Sequence, residues 1–235
     1  MTHETGTNTD PTRADATRDG ESAFVLYASF AATDRRLAPA ESAAAASEAE
    51  DALAAVTLRG SYLLTGFRAE ADLLLWMIGP SADALQQALI AFRRTALGRT
   101  LEPWWTSIGV HRTAEFSPEH QPAFLTGQPP GKYTCVYPYV RSLDWYLLPP
   151  EERRQLLGDH GRMGRAYPQV RANTVAAFAL GDYEWLLAFE ADELEPLVDL
   201  MRHLRGAEAR RHTRHELPFL TGIRKPLSEI VTDLL

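Results

Sequence analysis

The chain contains a single cysteine, Cys135, so no disulfide can form within it and no set of thiolates exists to hold a structural zinc or an iron–sulfur cluster. That usage fits a reducing, cytoplasmic compartment. Long apolar runs are also missing. The best, Leu73 to Ile78, is broken by Gly79 and Pro80 and falls far short of the roughly 20 residues a helix needs to span a bilayer. Met1 to Ser22 is mainly Thr, Asp, Glu, Arg and Gly; it lacks the apolar centre of a signal peptide and reads as a disordered tail, 1–22. There is no excess of positive charge: 24 Lys plus Arg stand against 31 Asp plus Glu, a formal charge of -7, which excludes a broad attraction to nucleic acid or anionic lipid. A glycine-rich phosphate loop, GxSxG, HExxH and CxxC are all absent, and the nucleotide, hydrolase, zinc and thiol chemistries go with them.

What is present is ample core material, 45% hydrophobic residues, arranged in a repeat. FVLYASFAA from Phe24 has strand character, and Leu37 to Leu58 is rich in Ala and Glu and predicts a helix. Ser61 to Phe67 and Ala71 to Ile78 predict two strands, and Ser81 to Leu97 a second helix. The order returns later as a strand at Tyr133 to Val140, a helix from Pro150 to Tyr167, strands around Asn173 to Leu180 and Tyr183 to Glu190, and a helix from Ala191 to Arg205. ADLLLWMIGPSADALQQALIAFRR after Phe67 parallels DYEWLLAFEADELEPLVDLMRHLR after Phe178, at a spacing of about 110 residues. Duplication of an α+β unit leaves such a trace. The predicted fold is therefore α+β: tandem ferredoxin-like repeats, 23–98 and 132–235, whose sheets meet as a dimeric α+β barrel, joined by a linker at 99–131.

Two histidines stand out. His160, in QLLGDHGRMG, has small neighbours that would let an imidazole meet a flat ligand as an axial iron ligand; the alternative is a packed or surface histidine. His120, in the proline-rich FSPEHQPAF, reads as a loop residue. In YTCVYPYVRSLDWYLLP, strand alternation turns Tyr133, Cys135, Tyr137 and Tyr139 to one face, a cluster that serves either as core packing or as an oxidisable relay. Arg141 follows on the same face, where its guanidinium can hold a carboxylate. His203, His212 and His215, interleaved with Arg210, Arg211 and Arg214, read as a solvated surface.

The strings YPYVRSLDWYLLPPEERRQLLGDHGRMGRAYP, ALGDYEWLLAFEADELEPLVDLMRHLR and ELPFLTG closely resemble the coproheme decarboxylases of actinobacteria, within the chlorite dismutase-like superfamily, over Ala23 to Gly222. The resemblance implies a homopentamer of tandem ferredoxin-like chains with an iron porphyrin in the C-terminal half. The activity it implies is peroxide-dependent conversion of two propionates of coproheme to vinyls, giving haem b through a monovinyl intermediate. Coproheme would be substrate and redox centre at once, hydrogen peroxide the oxidant, and ferrochelatase a transient partner. By the same resemblance His160 is the axial ligand, Tyr137 the catalytic tyrosine and His120 the distal histidine, while Arg141 and Trp145 line the pocket. Arg141 and Lys132 would supply local cations for the propionates. Chlorite-degrading relatives carry a distal arginine roughly a dozen residues after the axial histidine, where this chain offers Asn173 or Thr174. A haem carrier without turnover and a peroxidase for external reductants are the rival readings.

Overall fold

A computed structural model of the chain describes residues 23–117, 119 and 121–234, so the expected tail and His120 lie outside the described residues. The first half runs β1 (Phe24–Ala32), α1 (Ser42–Leu53), β2 (Thr57–Leu63), β3 (Leu73–Gly79), α2 (Ala82–Arg94) and β4 (Leu101–Val110). The second runs β5 (Tyr133–Arg141), α3 (Pro150–Gly164), β6 (Arg171–Ala176), β7 (Trp185–Ala191), α4 (Glu195–Leu204), a short β8 (Thr213–His215), β9 (Leu220–Arg224) and α5 (Leu227–Asp233). Each half is a βαββαβ unit, with strands ordered β4-β1-β3-β2 in one and β6-β7-β5-β9 in the other. The tandem ferredoxin-like architecture expected from the repeat is the one adopted.

Two antiparallel seams join the sheets, β2 to β9 through Tyr62↔Arg224 and Leu63↔Ile223, and β4 to β6 through Val110↔Ala176. With β5 also paired to β7, the eight strands other than β8 close into a barrel. Each seam has a glycine where no side chain fits. A Cβ on Gly222 would lie 2.7 Å from Leu64 Cδ2, and one on Gly109 would lie 2.5 Å from Val175 Cγ2.

Strand alternation sorts the apolar residues into layers. Val25, Tyr27, Tyr62, Trp76, Val136, Val175 and Leu186 fill the barrel interior. Leu26, Ala28 and Phe30 face outward to α1, α2 and α5, and Cys135, Tyr137 and Phe189 face outward to α4. Helix α2 starts cleanly because the Ser81 hydroxyl accepts from the Ala84 N–H at 3.1 Å, and it ends on Arg93 and Arg94, which suit the negative end of its dipole.

Inside the barrel one charge pair bridges the halves. The Glu190 carboxylate of β7, fully buried, accepts from Arg59 of β2 through Nε at 3.0 Å and Nη2 at 2.7 Å, from Asn173 Nδ2 at 3.1 Å and from the Tyr62 hydroxyl at 3.3 Å.

The linker and the first helix with the strand after it differ from the sequence expectations. The span 99–131 is more than a connection, since it supplies β4, the closing strand of the first half. Pro103 and a register shift opposite Ser29 and Phe30 break the alternation that would have marked it. Helix α1 stops at Leu53, and β2 starts at Thr57 rather than Ser61, because β-branched Val56 and Thr57 favour extended backbone despite the Ala-rich run before them. The ELPFLTG string contributes the start of β9, whose barrel partners are distant in sequence.

Candidate porphyrin site on the outer face of the second sheet

The outer face of β5, β7 and β6 is a grid fixed by register. Cys135, Phe189 and Ala172 form one row; Tyr137, Leu187 and Thr174 the next; Tyr139, Trp185 and Ala176 the third. Its β6 column carries only small side chains, with Thr174 exposed. Above this face, α3 has 15 residues and none of them is fully buried, although α4 beside it buries Leu197 and Leu200. Helix α3 packs against α4, and the open small-residue column is the face that a flat apolar ligand would use.

Tyr137 is 5% exposed, its ring stacked on Phe219 at 4.5 Å and tilted against Phe189 at 6.0 Å. Among the described residues its hydroxyl meets only the sulfur of Met201 on α4, at 3.9 Å, a weak acceptor. Burial, then the nearby Cys135 and Glu216, push this phenol far above the usual tyrosine range, so it is protonated at rest.

His160 lies on α3, half-buried. Among the described residues nothing hydrogen-bonds its imidazole. Desolvation, and secondarily the positive charge of Arg141, lower its pKa below the usual 6.5. At neutral pH it is an uncharged imidazole with a free lone pair, the form that ligates iron.

Arg141 closes the lower edge. Its guanidinium lies 4.0 Å from the centre of the buried Trp145 ring and 4.8 Å from that of Tyr139, and it donates to the Tyr139 hydroxyl at 2.7 Å. The Tyr139 hydroxyl also shares a 2.8 Å hydrogen bond with Thr213. The backbone N–H of Arg141 donates to Glu184 at 2.8 Å, which fixes the strand end. Trp145 in turn packs on His212, 5.4 Å away, whose Nδ1 lies 3.1 Å from the Ser142 hydroxyl.

The fit to an iron porphyrin therefore rests on one unpaired neutral imidazole, an aromatic wall, a stacked cation at the edge and an open small-residue column. A bare metal ion is not served, since no group of three or more His, Cys, Asp or Glu among the described residues could hold one.

A family model described as chlorite dismutase matches residues 36–225. The chain belongs to the chlorite dismutase family. Among relatives in that family, the coproheme decarboxylase of Mycolicibacterium smegmatis is 56% identical over 180 residues, covering 76% of this chain and 78% of the relative. The chlorite dismutase of Candidatus Nitrospira defluvii is similar in structure. An arginine-to-alanine mutant is 26% identical with a TM-score of 0.80, covering 90% of this chain and 94% of that one. An arginine-to-glutamate mutant is 25% identical with a TM-score of 0.79, covering 90% and 95%.

For this chlorite dismutase family chain, the residues singled out in sequence divide plainly. Arg141 and Trp145 come together at the end of β5 and the turn after it, with His160 within electrostatic reach of Arg141, while Tyr137 lies four residues earlier on the same strand face. Lys132 does not join them. It is exposed, its ammonium over the Tyr133 ring at 5.2 Å, and nine residues of extended chain separate it from Arg141, roughly 30 Å. The ambiguity between Asn173 and Thr174 also resolves. Thr174 shares a row with Tyr137, whereas Asn173 points into the barrel, donating to Glu190 and to Ala188 O and accepting from the Phe124 N–H at 2.9 Å.

Met201, Phe219, Glu184, Thr213 and His212 were not singled out for this site in sequence. His212 had read as solvated surface, yet it packs on Trp145. These residues sit on α4, β7, β8, β9 or the turns beside them, and only the closed sheet brings them to β5; no local pattern could have marked them.

Proposed function

We propose that this protein is a coproheme decarboxylase: with hydrogen peroxide it converts two propionates of iron-coproporphyrin III to vinyls and yields haem b. The observation that carries the reading is the buried, protonated Tyr137 hydroxyl, which among the described residues has no polar partner but a thioether, on the sheet face that ends in Arg141 within electrostatic reach of the unpaired neutral His160. A phenol kept dry and unsatisfied is ill suited to stability and well suited to giving up a hydrogen atom. The 56% identical relative bears the name of this activity.

His160 would hold the porphyrin iron through its neutral imidazole, and Arg141, stacked on Trp145, would receive a propionate. Bound iron porphyrin supplies a one-electron oxidant when peroxide reacts with it. His120, which lies outside the described residues, would take the proton from incoming peroxide, a role open to a neutral imidazole. Tyr137 would then lose its electron to that oxidant and its proton to a propionate oxygen, abstract hydrogen from the β-carbon of the adjacent propionate, and recover its O–H bond. Loss of carbon dioxide and of one further electron leaves the vinyl. Burial of Tyr137 keeps water from quenching the radical, and its stacking on Phe219 holds the oxygen in one place. Met201 must move aside from the phenol when a propionate arrives.

Chlorite breakdown is disfavoured, because β6 presents Thr174 in the row of Tyr137, with Leu187 of β7 between them, and its one arginine, Arg171, falls on the opposite face in ion pair with Asp192. A homopentamer in the cytoplasm, meeting ferrochelatase transiently, completes the proposal. No helix among the described residues is long and apolar enough to cross a membrane. The test is paired: carboxyl-labelled ferric coproheme on the protein is treated with peroxide, and a parallel haem-loaded sample with chlorite. Labelled carbon dioxide from the first and no oxygen from the second is the expected result; the reverse would sink the reading.

A further inference from the structure

Beyond Tyr137, the third row of the grid leads outward to a tyrosine that the proposed decarboxylation does not use. Tyr139 follows Tyr137 by two residues on the same face, roughly 7 Å along the strand, and its direct partner on β7 is Trp185, with Cβ atoms about 5 Å apart in such pairs. The Trp185 indole N–H donates to the Tyr146 hydroxyl at 3.2 Å, and that hydroxyl donates to Glu184 at 2.9 Å. Phe178 clamps the end, edge-on to both Trp185 at 5.2 Å and Tyr146 at 5.9 Å. Tyr146 itself is 42% exposed. Strand spacing, cross-strand register and hydrogen bonds thus set out a line of oxidisable side chains from the buried Tyr137 to solvent.

The two end tyrosines differ in one respect. Among the described residues Tyr137 has only a thioether beside its hydroxyl, whereas Tyr146 is hydrogen-bonded to a carboxylate able to receive its proton. Partial burial, opposed by the Trp185 hydrogen bond and reinforced by Glu184, holds the Tyr146 phenol above its usual range, so its oxidation requires such an acceptor.

We propose that Tyr146 is the surface terminus of an oxidation relay through Tyr139 and Trp185, at which small electron-rich phenols are oxidised by peroxide while iron porphyrin is bound. The inference rests on the proposed peroxide chemistry and adds a second outlet for it. Electrons and protons balance as follows. Oxidised Trp185 takes one electron from Tyr146, whose O–H bond breaks as its proton passes to Glu184. A phenol at the surface then gives a hydrogen atom to the Tyr146 oxygen, restoring the O–H bond, and Glu184 releases its proton to water. Two phenols are consumed per peroxide, which leaves as water.

The experiment loads the full chain with ferric coproheme, adds limiting peroxide with a nitroso spin trap, and locates the adduct by peptide mass spectrometry. A methoxyphenol dye is oxidised in parallel samples. The adduct is expected on Tyr146. Tyr146→Phe, which keeps the ring contacts, is expected to move it inward to Trp185 or Tyr139 and abolish most dye oxidation, while decarboxylation without dye is unchanged. Glu184→Gln, which keeps an acceptor oxygen but weakens proton uptake, is expected to slow dye oxidation and introduce a solvent deuterium isotope effect. An adduct that never forms on Tyr146, or dye oxidation indifferent to both substitutions, overturns the relay. Decarboxylation measured in the same samples separates the two claims: its absence beside a Tyr146 adduct defeats the decarboxylase reading alone, and its presence without that adduct defeats the relay alone.

Discussion

Replacing Tyr137 by Phe separates stability from chemistry. The substitution removes one oxygen and leaves the stacking on Phe219 at 4.5 Å and the contact with Phe189 intact. A typical hydrogen bond contributes about 0.5–1.5 kcal/mol net, and a buried hydroxyl poorly paired with a thioether contributes less, so the expected change is within about 0.5 kcal/mol of either sign. In a chain of this size about 1 kcal/mol moves Tm by roughly 2–4 °C, so the midpoint should shift by less than about 2 °C. Coproheme titration should give a nearly unchanged Kd. Decarboxylation should fall steeply: a positioned proton-transfer group alone contributes roughly 10²–10⁴-fold, and Tyr137 would supply the electron as well. The assays are thermal unfolding by circular dichroism, absorbance titration with ferric coproheme, and product chromatography after peroxide. Turnover within about tenfold of the parent would refute the assignment, since that loss is below what such a group contributes. A large fall in Tm would show instead that the hydroxyl serves the fold.

Glu190→Ala should have the opposite profile, leaving Arg59 as an uncompensated charge inside the barrel at a cost of about 3–5 kcal/mol, read by denaturant unfolding, whereas replacing both by apolar residues of similar volume should recover most of it. A loss under about 1 kcal/mol would contradict the role given to this pair. His160 should titrate below its ordinary value in the ligand-free protein, followed by its ring proton resonance, and Arg141→Gln should raise that midpoint only in part, because desolvation is the larger cause. The folded pKa is depressed, so the unfolded chain takes up this proton first. Stability should therefore be insensitive to His160 at pH 7 and decline as pH falls from about 6.5 toward the folded midpoint.

Much of this was legible in sequence because it is periodic or local. The duplicated strand, helix, strand, strand, helix order marked the two halves, and alternation in YTCVYPYV correctly put Cys135, Tyr137 and Tyr139 on one face. Arg141 and Trp145 lie four residues apart around one turn, so their stacking is also local. What stayed hidden depends on closure. Strand β4 is masked by Pro103 and its irregular register, and β9 is short, with barrel partners in β2 and β5 that no local pattern announces. Lys132 looked close to Arg141 in number yet lies at the other end of the same extended strand. The identity of the β6 residue in the row of Tyr137 turned on a single step of register, which places Thr174 on its face and Asn173 on the other.

The central claim is that bound coproheme is both substrate and oxidant source. Its most direct test is to bind ferric coproheme to the purified chain, titrate hydrogen peroxide in steps and follow the porphyrin by mass spectrometry. Two successive losses of a carboxyl group plus hydrogen, through a three-propionate monovinyl species to haem b, are the expected course. Coproheme that stays bound and intact as peroxide is added would contradict the account and leave the protein a porphyrin carrier.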